Sequence, residues 1–534
     1  MPGADDRRTR SNRILQLLTL SITAAVVVLG VWQTRSPSMA IGVEPTPVRP
    51  IDDLWVTVAA GMVFLMQAGF MAFEVGLARP HHAPAVALKN LVDWTAASLA
   101  FFAIGFAFMF GDGNSIIGWT HFALNDLPEV IDNTVSGPTF FIFQLAFAGT
   151  AITIVSGSLV ERTSFASYAI VSVFLGLIIY PIYGRWAWGS LFNSESQGWL
   201  EALGFRDFAG STAVHSVGAW VALVGVAIVG PRLGRFDLDG TSRPFPPSNL
   251  AMTVLGTLIL WFGWWGFNGG SALAFDGSVP QIILVTNLSG AAALFSSGVH
   301  AYATKPSSAV FSTVIGGALA GLVAVTASAD VVEPIGAIAI GLTAGIVHNL
   351  VADLLERLKI DDALGAIPVH GAGGVWGTLA VAIFVPGDVL ETWGRSRIDQ
   401  LAAQFLGVLV CMVWVGGLAY VIFKTIERTI GLRVSPTREL VGMDVFEEDP
   451  VHAADADTLE ATNSLSSCPN GDGGFPTSSR TSWHAGRQHR SQDERGLQRL
   501  VANRLASPFE ERTIQPHQVQ AGCIPVRWPF GART

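Results

Sequence analysis

Two stretches decide the fold: Asp207-Phe-Ala-Gly210-Ser-Thr-Ala-Val214-His215 and Asp362-Ala-Leu-Gly365-Ala-Ile-Pro-Val369-His370. Both read D-x-x-G-x-x-x-V-H. The match runs on at a constant offset. Gly218 pairs with Gly373, and Val226-Ala227-Ile228 with Val381-Ala382-Ile383. A coincidence over so many positions is not credible, so the chain contains an internal repeat.

Working outward, each stretch opens an apolar run. Eleven such runs are long enough to cross a bilayer core of about 30 Å as helices. They cover about 54–77, 94–111, 138–158, 165–184, 210–229, 249–268, 279–303, 308–327, 333–353, 364–385 and 401–424. The repeat falls in the fifth and tenth. Five is odd, so the second half enters the membrane from the side opposite to the first. The expected fold is therefore an all-α membrane protein of eleven transmembrane helices, two inverted five-helix repeats plus a final helix. Transporters of this plan bind substrate where the halves meet.

Composition agrees. Of 534 residues, 50% are hydrophobic and only 14% charged, with 57 Gly and 16 Trp. That usage fits close-packed membrane helices with interfacial aromatics. A net charge of −9 without a basic stripe excludes a nucleic-acid partner. Cys411, Cys468 and Cys523 form neither a disulfide framework nor a metal spacing, so no metal and no cofactor is expected. No nucleophile–base spacing marks an enzyme.

Residues 1–40 read as a signal peptide: Arg7, Arg8, Arg10 and Arg13, an apolar stretch, then small residues. An uncleaved extra helix is the alternative. Either way the body starts outside. Arg79, Lys89, Arg162, Arg232, Arg235, Arg243, Lys305, Arg357 and Lys359 then fall in inner connections. The outer ones hold Arg185, Arg206, Arg395 and Arg397, and the loop 112–137 is acidic. The positive-inside bias gives N-outside, C-inside, in the cell membrane, with a bacterial inner membrane expected. Domains follow: 1–40, a transmembrane domain 51–430, a cytoplasmic segment 431–450, and a polar tail 451–534. The tail reads as disordered, or as a frame-altered end.

The repeat also places chemistry. Asp is a favoured helix N-cap. Each His follows its Asp by eight residues, about 12 Å along a helix. Two histidines descending that far from opposite faces meet near the midplane. An ionisable residue there is a functional candidate. His300 and His348 lack the repeat and read as packing or helix-end residues. Glu74 reads as a structural group bonded to a neighbouring helix. Three aromatic stretches converge on the outer mouth: Phe143 to Phe147, Trp186 to Trp188, and Trp261 to Ser271. Their faces attract cations. An interfacial aromatic belt is the competing reading, favoured for Trp186, Trp261 and Trp265.

The stretches FQLAFAGTAIT, GSLVER, DFAGSTAVH, WFGWWGFNGGSA, DDALGAIPVHG and GLRVSPTRELVGMD together make residues 51–447 resemble the Amt/Mep/Rh ammonium transporters. The resemblance implies a homotrimer of eleven-helix subunits in membrane lipid, one pore each, carrying ammonium or ammonia. It implies an outer ammonium site at Trp188, Phe147 and Ser271, a gate of Phe147 and Phe267, support from Asp207, and twin pore histidines His215 and His370. Gly365 stands where some relatives have Asp, which puts a second inner acidic partner in doubt. Residues 431–447 match a regulatory segment that can meet a PII-type signalling protein. The competing expectations are an ammonium sensor of the same fold, and an Rh-type gas channel, which should lack the Trp188/Ser271 site.

Overall fold

A computed structural model describes residues 49–443, apart from residue 129 and residues 132–134. Residues 1–40 and 451–534, and with them the signal-peptide and tail readings, lie outside the described residues. The body is helical. In chain order the long helices are α1 (Pro50–Leu77), α2 (Pro80–Phe110), α3 (Gly137–Leu159), α4 (Phe165–Leu191), α5 (Ser211–Val229) and α6 (Leu250–Gly270). There follow α7 (Ser278–Thr304), α8 (Ser307–Val325), α9 (Pro334–Arg357), α10 (Ile367–Phe384) and α11 (Arg397–Thr429). Among the described residues ten of these are long and apolar enough to cross a membrane, and α8 is a shorter apolar helix. A short helix α12 (Pro436–Val441) follows. The strand content described is one hairpin, Val130–Ile131 with Val135–Ser136.

The helices start where the sequence offers caps. Ser136 accepts from the Thr139 amide, Ser164 from Ser167, Asn249 from Met252, and Ser396 from Asp399. Each side chain satisfies an amide that the helix leaves orphaned. The bundle inverts the soluble pattern. Leu54, Phe64, Leu91, Leu258, Phe405 and Val413 face outward, as suits a hydrocarbon solvent. The interior is built on small residues. Cβ atoms on Gly256, Gly263 and Gly266 of α6 would fall within 3 Å of α1 backbone or Met66. That absence of side chain lets α1 and α6 pack backbone to backbone.

Helix contacts repeat. α1 packs on α3, α2 on α3 and α4, and α3 on α5. In the second half α6 packs on α8, α7 on α8 and α9, and α8 on α10. α1 meets its counterpart α6, and the opening turns of α5 and α10 meet each other. Asp207 lies at one end of the bundle, where its carbonyl accepts from Trp188. Asp362 lies at the other, bonded to Ser158 near Glu161. The repeat is therefore inverted in the packing.

Two boundaries differ from the sequence reading. The second span begins at Pro80, not near residue 94. Lys89, Asn90 and Asp93 break the apolar run, yet all three are buried inside α2. Lys89 donates to the Thr163 carbonyl and Tyr168 to the Asp93 carboxylate. Arg185 is likewise no loop residue. It is fully buried in α4 and donates to the carbonyls of Gly111 and Asn114. Partners elsewhere in the fold make these charges tolerable, and composition along one run does not reveal them.

Candidate functional site

Both histidines sit in the first turn of their helices, and both turns are π-wound: Ser211–Ser216 and Ile367–Ala372. Such turns are rare and recur at functional sites. The Asp of each repeat holds the turn open. Asp207 accepts from the amides of Gly210, Thr212 and Ala213 at 3.1, 2.9 and 2.8 Å. Asp362 accepts from Ala366 and Ile367 at 3.2 and 2.7 Å, and from the Ser158 hydroxyl at 2.8 Å. Neither Asp occupies the N-cap position itself; each reaches over the D-x-x-G loop. The Gly of that loop takes a left-handed conformation, φ +109° at Gly210 and +78° at Gly365. The repeated Asp and Gly are thus explained by backbone geometry.

The two imidazoles come together. His215 Nδ1 and His370 Nδ1 are 3.2 Å apart, and the rings stack at 5.2 Å and 18°. One nitrogen donates and the other accepts, so a single proton lies between them. His215 Nε2 is buried with no protein partner among the described residues. A polar atom so placed is costly unless something else bonds it. The rings continue a single file. Phe267 lies 5.4 Å from His215, Phe147 stacks on Phe267 at 4.0 Å and 18°, and Trp188 meets Phe147 at 6.3 Å. On the far side Phe70 lies 6.1 Å from His370.

A recess opens at each end of this file. One is lined by Phe143, Gln144, Phe147, Trp188, Phe208 and Ser271. There the Trp188 indole N–H donates to the Asp207 carbonyl at 2.6 Å, which fixes the ring. The Ser271 hydroxyl donates to the Phe267 carbonyl at 2.8 Å, leaving its oxygen free to accept. The other recess is lined by Phe70, Phe73, Glu74, Gly157, Gly365 and His370. Between the recesses stand the stacked phenylalanines and the histidine pair.

Of the residues singled out from the sequence, Trp188, Phe147, Ser271, Phe267, His215 and His370 lie along one path, whereas Asp207 stands behind it, its carboxylate on the first amides of α5 and its carbonyl on Trp188. Sequence reasoning does not pick out Trp264 as a site residue. It is fully buried, stacks on His215 at 5.0 Å and 20°, and donates to Thr326. The signal that could find it is spacing: Trp264, Phe267 and Ser271 share one helical face of α6. Phe143, 4.8 Å from Phe147, is readable in the same way from the α3 spacing. His348 and His300 stand apart, bonded to Asn349.

At the Asp362 end, an ionic network anchors the C-terminal segment. Glu161 accepts from Arg79 at 2.7 Å and Arg232 at 3.0 Å, and Arg232 pairs with Asp361 at 2.8 Å. Burial pushes both carboxyls up. For Glu161, Arg232 and Arg79 outweigh it and hold the group below the usual carboxylate range. Arg232 and Arg162 do the same for Asp361. Glu439 of α12 accepts from the Leu233 amide and from Arg433. Leu432 and Val434 bond the chain on either side of Thr163.

Residues 54–452 match the model of the Ammonium Transporter Family. The chain is 39% identical over 448 residues to Ammonium transporter Amt2 of Archaeoglobus fulgidus, covering 80% of this chain and 93% of that one. Among solved structures it resembles a Sensor Amt Protein, with TM-score 0.72, 44% identity, and coverage of 75% of this chain and 98% of that one. It also resembles Mep2 of Candida albicans, with TM-score 0.66 and 26% identity over 73% of this chain and 87% of that one.

Proposed function

The chain belongs to the Ammonium Transporter Family, a multi-pass membrane protein and not an enzyme, and from that premise we propose that it takes ammonium at the Trp188 recess, strips its proton, and passes ammonia along the histidine pair. The buried His215–His370 contact between two recesses carries the reading. On this reading the Trp188 end faces outward and the C-terminal end faces the cytoplasm.

Energetics favour loss of the proton. A cation at the bilayer centre costs at least about 3 kcal/mol, and over 10 by some estimates. An amine of pKa near 10 is deprotonated at neutral pH for about 4 kcal/mol. A potassium ion has no proton to lose and meets the full barrier at the Phe147–Phe267 stack. The fixed indole and the free lone pairs of Ser271 recruit the cation. The unpartnered Nε2 of His215 offers ammonia a hydrogen bond, and the shared Nδ1 proton supports a relay for the charge. Replacing His215 and His370 together with Ala tests this in liposomes under ammonium pulses. Selective ammonium transport should vanish while the protein still assembles; wild-type selectivity and current would sink the proposal.

Likeness to a Sensor Amt Protein supports a second reading, ammonium sensing. A sensor would bind ammonium at the same recess without sustained flux. The Trp188/Ser271 pair speaks against an Rh-type gas channel. Assembly as a homotrimer in membrane lipid, and regulation by a PII-type protein at segment 431–450, complete the proposed picture.

A further inference from the structure

We propose that Glu74 is the proton-carrying group at the inner end of the path, where ammonia becomes ammonium again; this rests on the transport reading above.

Glu74 lies one helical turn beyond Phe70 on α1 and lines the same recess as His370. It is 2% exposed, in the last turn of the apolar helix α1. Its two oxygens differ. Oε2 accepts from Asn90 Nδ2 and from Ser156 Oγ, each at 2.9 Å. That half of the carboxylate ties α1 to α2 and α3, the structural role its sequence setting suggests. Oε1 has no hydrogen-bond partner among the described residues. It points past Gly157, where an added Cβ would sit 3.3 Å from it. Gly157 also lines the recess, so the missing side chain leaves Oε1 open to it.

No cation neutralises Glu74 within ion-pair distance among the described residues. Lys89 is the basic group whose charge acts on it. The Lys89 ammonium donates to the Thr163 carbonyl and lies over the Tyr168 ring. The other titratable neighbours are engaged: Asp93 with Tyr168, Asp362 with the first amides of α10, and His370 with His215. A buried carboxyl kept only for structure is expected to be fully paired. One with a single open oxygen beside the exit of the histidine pair suits a group that takes and gives a proton.

The step balances without redox chemistry. Protonated Glu74 gives its proton to ammonia; the O–H bond breaks, an N–H bond forms, and ammonium leaves through the recess. The carboxylate then takes the proton removed at the Trp188 recess and relayed by the histidines. One ammonium is carried per cycle.

The test uses full-length protein in liposomes, with ammonium-pulse current and ammonia flux recorded in parallel. Glu74→Gln keeps an oxygen for Asn90 and Ser156. Its current should fall by about a hundredfold or more, the range of a lost acid–base group. Ammonia flux and the half-saturating ammonium concentration should persist, and Glu74→Asp should restore part of the current. Internal pH should shift the wild-type current and leave the residual Gln-variant current unmoved. Wild-type current in Glu74→Gln would overturn the proposal, as would joint loss of current and flux, which would mark a structural role. A wild type without ammonium current would fail the transport reading and this proposal together; a conducting wild type with an equally conducting Gln variant fails the proposal alone.

Discussion

At Trp188 one side chain joins the recess to the repeat. Its N–H is spent on the Asp207 carbonyl and its face borders the recess with Ser271. Trp188→Leu with Ser271→Ala removes the aromatic face and the acceptor. A cation–π contact of about 2 kcal/mol corresponds to weakening of roughly thirtyfold, read as a higher half-saturating concentration in methylammonium uptake. Gly210 belongs to the same cluster. At φ +109° any Cβ is strained, and this one would lie 2.9 Å from the Trp188 ring. Gly210→Ala should cost about 1–2 kcal/mol in folding and weaken uptake affinity by displacing the indole; an unchanged melting temperature and affinity would contradict it. The Asp, Gly and His of each repeat are legible in the sequence because they recur. Trp264 and the open oxygen of Glu74 are not, since their meaning lies in what they face.

Among the elements, α5 and α10 share more than their histidines. Gly218 and Gly373 are matched in the repeat, and each faces a neighbouring helix, Gly218 on α3 and Gly373 on α8. Gly377 is tighter still, since an added Cβ would collide with the backbone of Ala324. Backbone cannot yield as a flexible side chain can, so Gly377→Leu should destabilise by about 1–3 kcal/mol or more, read as an earlier thermal transition in detergent. Gly417→Leu on α11 is the control, because nothing lies within 4 Å of its added Cβ. That the elements are long apolar helices is legible from length and apolarity. The start of α2 is not, because Lys89, Asn90 and Asp93 look like a loop until Thr163 and Tyr168 are brought beside them.

The helical body as a whole is closed at one end by the Arg79–Glu161–Arg232–Asp361 network and the segment it holds. Asp361→Asn leaves Arg232 buried with Glu161 as its one remaining carboxylate among the described residues, and breaking such a pair costs about 3–5 kcal/mol. Folding depresses the pKa of both Glu161 and Asp361. Their stabilisation is complete above the unfolded values, near pH 4, and is lost as the pH falls through the lower folded ones. The melting temperature should therefore drop on acidification below about pH 4–5, and the drop should be smaller in Asp361→Asn. Truncation after Ile430 removes the extended residues 432–434 that pair beside Thr163, and the Glu439 contacts. It should alter transport or its control without changing ion selectivity, whereas truncation after Pro450 should leave uptake largely intact. Failure of the shorter protein to fold would make the segment structural.

By itself the sequence determined the class of solvent, the helical build, the inverted repeat and the placing of two histidines at matched depth. Those properties follow from local apolarity and from counting, and both are written along the chain. Tertiary structure alone decided that the Nδ1 atoms meet at 3.2 Å, that Phe147 lies flat on Phe267, and that Arg185 and Lys89 are interior. It also decided that one oxygen of Glu74 stays open. These depend on partners far away in the chain, and a buried charge or ring takes its role from the partner that reaches it.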